Sequence, residues 1–271
     1  MLKGSNMINI YEPKGKAREY SPLALNIYKG CDHSCFYCYV PNILSVYNKK
    51  YEHNNVVPRD ALLKGLINSC KKYYNTEKQV LLSFTTDPYC KANDVYKLTA
   101  STLEILLKFK IPTAILSKGG HRILQDLSIH KKFAKSIKVG LTLTYDNDED
   151  SIKYEPGAAL FTERIETLKI LKENGITTWV SMEPVIFADQ SLSAIKKSIE
   201  YVDHYKIGKL NHFPEYEKNI NWSEFLDKVV SFMRISNKKF YIKEDLRKYN
   251  KGTILNDDEI NMDYLNVKKM E

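Results

Sequence analysis

Short unbroken apolar runs alternate with longer stretches of helical period along most of the 271 residues. The runs predict strands at Leu23–Tyr28, Val80–Thr85, Thr113–Ser117, Lys138–Thr144, Thr177–Met182 and Tyr205–Leu210. They are continuous rather than alternating, the pattern of a parallel sheet covered on both faces. Helices are predicted between them, near Pro58–Tyr74, Val95–Phe109, His121–Phe133, Thr162–Asn174, Ser191–Val202 and Trp222–Ile235. In the first, Leu63, Ile67, Cys70 and Tyr74 share one helical face, with Pro58 in the opening turn. Thr162 reads as an N-cap and Gly175 as the glycine just past a helix end. Six βα units with right-handed crossovers predict an α/β fold, a partial (β/α)6 TIM-like barrel. A run at Phe240–Lys243 adds a strand at its edge. The expected organisation is an N-terminal segment 1–19, a barrel core 20–211 and a C-terminal helical and basic extension 212–271 packed on that core.

Composition changes this picture little: 43% hydrophobic and 27% charged residues are those of an ordinary folded chain. No apolar run approaches the roughly 20 residues that span a bilayer, and Met1–Tyr11 lacks the apolar centre of a signal peptide. A cytoplasmic protein with no membrane partner is expected. The formal charge of +8 permits a polyanionic partner, though a lysine-rich composition of other origin accounts for it equally.

The five cysteines carry the chemistry. Cys70 falls on a helical face and reads as core, while Cys90 stands alone after the second predicted strand. Cys31, Cys35 and Cys38 form C-x3-C-x2-C just after the first strand, at the mouth of the expected barrel. Three thiolates can hold three irons of a cubane and leave the fourth open. A zinc site completed by His33 or His53 is the alternative, although structural zinc usually takes a second paired unit and none follows here.

On these residues the chain resembles the radical S-adenosylmethionine (SAM) superfamily, whose signature carries an aromatic residue just before the third cysteine, here Tyr37. The run from Asn26 to Tyr39 is more narrowly similar to spore photoproduct lyase and related DNA repair lyases. The resemblance extends over roughly residues 20–210. It implies a [4Fe–4S] cluster on Cys31, Cys35 and Cys38, and SAM cleaved to methionine and a 5′-deoxyadenosyl radical that abstracts hydrogen from a substrate. It also implies a one-electron donor such as flavodoxin or ferredoxin.

The same resemblance implies the cofactor-binding set. Tyr37 stands beside the cluster, Thr85 and Asp87 in Thr85-Thr86-Asp87-Pro88-Tyr89 lie at the methionine amino group, and Ser117 and Lys118 at its carboxylate. Thr142 and Thr144 line the ribose, and Glu155-Pro156-Gly157 with Arg164 and Gly175 matches an E-P-G-A…R…G segment. The bland alternatives are an ordinary Asp-Pro turn, a solvated lysine, hydroxyls bonded within the sheet and a surface Glu–Arg pair. Glu183, Lys209 and Asn211 are expected at the mouth, facing substrate or solvent.

Cys90, Tyr37 and Tyr39 are the candidate catalytic residues. Cys90 would donate a hydrogen atom or simply be buried, and the two tyrosines match a pair that returns hydrogen toward the cofactor in those lyases. Spore photoproduct lyases carry a catalytic cysteine just before their T-S-D segment, where this chain has Phe84, which puts thymine-dimer reversal in doubt unless Cys90 substitutes from a different direction. The expected substrate is DNA, RNA or a nucleotide. The basic stretch Lys238–Lys251, with Phe240, Tyr241 and Tyr249 interleaved, has the composition that stacks bases and contacts phosphates. The alternatives are a peptide or small-metabolite substrate, or a non-enzymatic zinc or iron–sulfur module that binds nucleic acid.

Overall fold

The computed structural model describes residues 10–46, 51 and 53–271; the beginning of the expected N-terminal segment, residues 1–9, lies outside them. Ten strands form: β1 Ile10–Tyr11, β2 Leu23–Leu25, β3 Tyr28–Lys29, β4 Val57–Pro58, β5 Val80–Leu82, β6 Thr113–Ser117, β7 Ile137–Thr142, β8 Thr177–Met182, β9 His204–Ile207 and β10 Lys239–Ile242. Eight make one sheet in the order β1-β2-β5-β6-β7-β8-β9-β10. Within that sheet only the β1–β2 pair is antiparallel and the other neighbours run parallel, while β3 and β4 pair antiparallel in a separate ribbon. The architecture is the α/β class expected, and among the described residues no backbone pairing joins β10 to β1 or β2. No helix of the described residues is long and apolar enough to cross a membrane.

Successive side chains on each strand take opposite faces, so the sheet builds two separate apolar clusters. Leu25, Leu82, Ile115, Val139, Leu141, Val180, Ile207 and Ile242 belong to the larger, helix-covered cluster. Leu81, Ala114, Trp179 and Tyr241 form the inner one, together with Tyr264, Leu265 and Val267 from the chain's last residues. Trp179 reaches across the interior to donate to the Ile115 carbonyl at 3.0 Å. Gly140 on β7 makes room for it, since a Cβ there would stand 2.3 Å from the indole.

The C-terminal extension therefore does more than lean on the core. Its first strand joins the sheet as β10, and its final residues seal the end where the parallel strands begin. Val267 N–H donates to Gln79 at 2.9 Å, Lys138 donates to the Leu265 carbonyl, and the Tyr241 and Tyr264 rings stack 4.8 Å apart. Side chains link the segment before β2 to the β10 end of the sheet. Glu19, just before β2, accepts from the Tyr241 hydroxyl at 2.6 Å and from Glu244 N–H at 2.9 Å.

Several local expectations shift. Pro58 ends a strand instead of opening a helix, which starts at Leu62. That helix buries Leu62, Leu66, Ser69 and Cys70, while Ile67 and Tyr74 are exposed, so its core face lies one residue ahead of the predicted stripe. Thr162 falls inside the helix Phe161–Glu173, whose N-cap is Leu160, because Asp148 takes both its N–H and its hydroxyl. Gly175 follows that helix at φ +76°, as expected. A left-handed Lys97 splits the predicted Val95–Phe109 helix into Lys91–Tyr96 and Leu98–Lys108.

Candidate active site

The cysteine loop leaves β3 through Gly30 and is moored on both sides. Phe36 N–H donates to the Tyr154 carbonyl and Gly157 N–H to the His33 carbonyl, each at 3.0 Å. Asp32 accepts from Lys91 N–H at 2.8 Å. The approach at Gly157 is so close that a Cβ would lie 1.9 Å from the Asp32 carbonyl oxygen. This explains the glycine of the Glu155-Pro156-Gly157 segment: it is the bearing on which the cysteine loop rests.

Cys31, Cys35 and Cys38 are free, partly exposed thiols on one wall of a cavity of about 590 Å³. The ends of the parallel strands supply other walls, including Thr85, Asp87, Ser117, Lys118, Thr142 and Glu183. Burial pushes the Cys35 thiol up to about 12 and raises those of Cys31 and Cys38. Such thiols become thiolates only against a strong cationic partner. Among the described residues, no three His, Cys, Asp or Glu side chains converge to hold a single metal ion.

Mononuclear zinc therefore fits poorly. His33 is buried between carboxylates, Nδ1 3.5 Å from Asp87 and Nε2 3.7 Å from Asp32, and His53 stands edge-on to Tyr51. Three thiols without a fourth partner do fit a cubane, which takes each thiolate on a different iron.

Tyr37 is fixed from behind by a buried network. Its hydroxyl donates to Glu155 and lies 3.2 Å from the Thr144 hydroxyl. The Glu155 carboxylate receives Arg164 Nη2 at 2.5 Å, and the same guanidinium donates to the carbonyls of Ala159 and Thr142. Burial raises the Glu155 carboxyl and Arg164 pulls it back. Arg164 thus fixes Glu155, and both are too buried to form a surface pair. Glu155 and Thr144 sit behind Tyr37, whereas Thr142 lines the cavity itself. Lys118 places its ammonium 5.4 Å from the Tyr37 ring centre.

Asp87 is an organiser of the cavity wall. One oxygen accepts from Ser117 Oγ at 2.7 Å and Tyr89 N–H at 2.8 Å, the other from Lys118 N–H at 2.7 Å. Asn26 does the same for the neighbouring strand end, accepting from the N–H groups of Phe84 and Thr85 at 2.8 and 2.9 Å. In the sequence Asn26 reads only as a polar residue within the predicted strand Leu23–Tyr28, at the start of the run that carries the family resemblance, with no role of its own. Tyr39 is 43% exposed on the cavity wall and donates to the Phe84 carbonyl at 2.7 Å.

Opposite the thiols, Glu183 receives Lys206 at 2.5 Å, Lys243 at 2.7 Å and the Tyr20 hydroxyl. The two ammoniums hold its carboxyl well below the usual range despite burial. Lys209 is tied to Glu217 at 2.5 Å, its ammonium 5.3 Å from the Trp222 ring centre. Asn211 also lines the cavity.

Two expectations need correction. Cys90 is fully buried in the helix-covered core and does not line the cavity, and burial pushes its thiol up to about 12, so the buried alternative is the one the structure matches. Most of the stretch Lys238–Lys251 is committed to the fold, although Tyr249 stays 40% exposed beside the Trp222 ring. Phe240 and Tyr241 point into the two cores of a paired strand, Lys243 is spent on Glu183 and Glu19, and Lys238 donates to the Val202 carbonyl. Residues that the sequence reading passed over, Tyr20 and Tyr51, line the cavity instead.

The model of the Radical SAM superfamily matches residues 25–202. An uncharacterized protein of Methanocaldococcus jannaschii is 32% identical over 164 residues, and the match covers 60% of each chain. One of Mycobacterium tuberculosis is 24% identical over 167 residues, 60% of this chain and 49% of that one. Among solved structures, a single-site variant of spore photoproduct lyase superposes with a TM-score of 0.66 at 12% identity, covering 88% of this chain and 79% of that one. Streptococcus suis SuiB bound to its precursor peptide SuiA gives 0.59 at 16% identity, with coverages of 83% and 50%. These structural likenesses concern the fold.

Proposed function

Because this chain belongs to the radical SAM superfamily, we propose that Cys31, Cys35 and Cys38 hold a [4Fe–4S] cluster beside a SAM-binding cavity, and that the protein is an enzyme abstracting hydrogen from a nucleic acid or nucleotide. Members of this family normally use that cluster and SAM. The observation that carries the reading is the placement of three unpaired thiols on the cavity formed by the C-terminal ends of the parallel strands. When bound, cluster and SAM supply one-electron cleavage of a carbon–sulfur bond and, from it, hydrogen-atom abstraction. A donor of the flavodoxin or ferredoxin kind supplies the electron.

The protein's own part is positioning. Three thiolates hold the cluster, and the lack of a fourth leaves one iron for the cofactor. Glu155 and Arg164 keep Tyr37 still against that site. Asp87, by collecting Ser117 and the Lys118 N–H, sets the wall on which Thr85 and Lys118 meet the amino-acid end of SAM. Thr142 is available to the ribose.

A phosphate-bearing substrate is supported by cations on the cavity wall, Lys14 and Lys16 among them, and by the net charge. A relative in fold, at a TM-score of 0.58, holds a dinucleoside spore photoproduct. Phe84 and the buried Cys90 leave this chain without the thiol that photoproduct reversal would use. A peptide is the second reading, favoured by the exposed apolar lip of Ile43 and Val46 on the same cavity.

The test is anaerobic reconstitution with iron and sulfide, reduction, and assay of 5′-deoxyadenosine from SAM. Formation should vanish in Cys31→Ala, Cys35→Ala and Cys38→Ala; a cluster that never cleaves SAM sinks the reading. Affinity for an oligonucleotide should fall with salt, and with a shallower slope in Lys14→Ala. Affinity indifferent to salt, with binding of apolar peptides, favours the second reading.

A further inference from the structure

Tyr51 lines the cavity together with Cys31 and Cys38, and among the described residues its buried hydroxyl meets no oxygen or nitrogen partner. A buried hydroxyl with only neutral thiols to bond is poorly satisfied, so one facing a binding cavity points to a better acceptor that arrives with the ligand. The thiols within its reach are those of Cys31 and Cys38. Both are weak acceptors as thiols and far better ones as thiolates, because the acceptor charge strengthens the bond.

We propose that the Tyr51 hydroxyl donates to a sulfur of the Cys31–Cys38 pair once the cluster is in place, and thereby sets the cluster's reduction potential. This rests on the cluster assignment made above. Hydrogen bonds to the sulfurs are among the levers that tune iron–sulfur potentials. An O–H···S bond stabilises the reduced cluster more than the oxidised one, since reduction adds negative charge at the acceptor. Tyr51 therefore makes the cluster easier to reduce, acting through its ligands as a positioning residue.

Tyr39 is the internal control. It lines the same cavity, but its hydroxyl is committed to the Phe84 carbonyl.

The experiment is a redox titration of the reconstituted protein followed by electron paramagnetic resonance, after iron and sulfide analysis has shown that the cluster is present. Tyr51→Phe should shift the one-electron equilibrium about tenfold toward the oxidised state, ~59 mV lower in midpoint. Tyr39→Phe should leave the midpoint in place. Should Tyr51→Phe not assemble a cluster, 3-fluorotyrosine at position 51 keeps the shape and makes a stronger donor, and should move the midpoint upward. An unchanged midpoint in a cluster-loaded Tyr51→Phe or fluorotyrosine protein overturns the proposal and leaves the cluster assignment standing. Equal shifts in Tyr51→Phe and Tyr39→Phe overturn it too. A wild-type protein that binds no iron and sulfide defeats the assignment itself.

Discussion

Replacing Arg164 with methionine strands a carboxylate inside the protein. Arg164 and Glu155 have side-chain exposures of 2% and 0%, so neither has water to fall back on. Removing one partner of a buried ion pair typically costs about 3–5 kcal/mol, and here the Ala159 and Thr142 carbonyls lose a donor as well. Against a total stability of about 5–15 kcal/mol, Arg164→Met is expected to remove a large fraction. With a urea m-value of about 3 kcal/mol/M, the unfolding midpoint of the metal-free protein should fall by more than about 1 M.

The pH dependence identifies the cause. Burial already raises the Glu155 carboxyl, and without Arg164 only the neutral hydroxyls of Tyr37 and Thr144 oppose it. A carboxyl raised in the folded state favours folding while both states are protonated, and that benefit is lost as pH rises through its folded value. The deficit of Arg164→Met should therefore shrink from pH 8 toward pH 5, by up to about 1.4 kcal/mol per unit. Glu155→Gln combined with Arg164→Met should recover about 2 kcal/mol at pH 7 and flatten the curve. A cost below about 1 kcal/mol, or one equal from pH 5 to 8, refutes the account.

Three other outcomes are expected. Gly157→Ala should displace the cysteine loop, because its Cβ would meet the Asp32 carbonyl at 1.9 Å; iron bound per chain after reconstitution should drop severalfold, with the fold intact by circular dichroism. Glu183→Gln leaves Lys206 and Lys243 facing a neutral group and should cost about 3–5 kcal/mol at pH 7 in denaturant titration. Its wild-type contribution is present above the ordinary carboxylate range and lost as pH falls through the depressed folded value, so the variant and wild type should converge in acid. Trp179→Ala empties the centre of the inner cluster and should cost about 3–5 kcal/mol, read as a lower unfolding midpoint at unchanged m-value.

The class of fold and the place of the chemistry are legible in the chain alone. Apolar runs such as Val80–Leu82 mark parallel strands because both faces are covered, and that pattern is local. The spacing of Cys31, Cys35 and Cys38 is local too, and so is their position after the first strand. Glu155 and Arg164, nine residues apart, were legible as a pair of opposite charge that could meet.

What tertiary structure decided are the relations between distant segments. Whether Phe240 and Tyr241 offer stacking faces or core packing depends on β9 lying beside them, and their own composition suits both. Cys90 sits at the right place in the chain for chemistry, but only the packing of the core shows that its thiol is buried and off the cavity wall. Glu19 reaches β10 across more than two hundred residues, and Leu265 closes the barrel floor under Lys138. Periodicity reports which face of an element is apolar. Which segment covers that face is chosen by the shape and charge of the assembled chain, and no local pattern carries that choice.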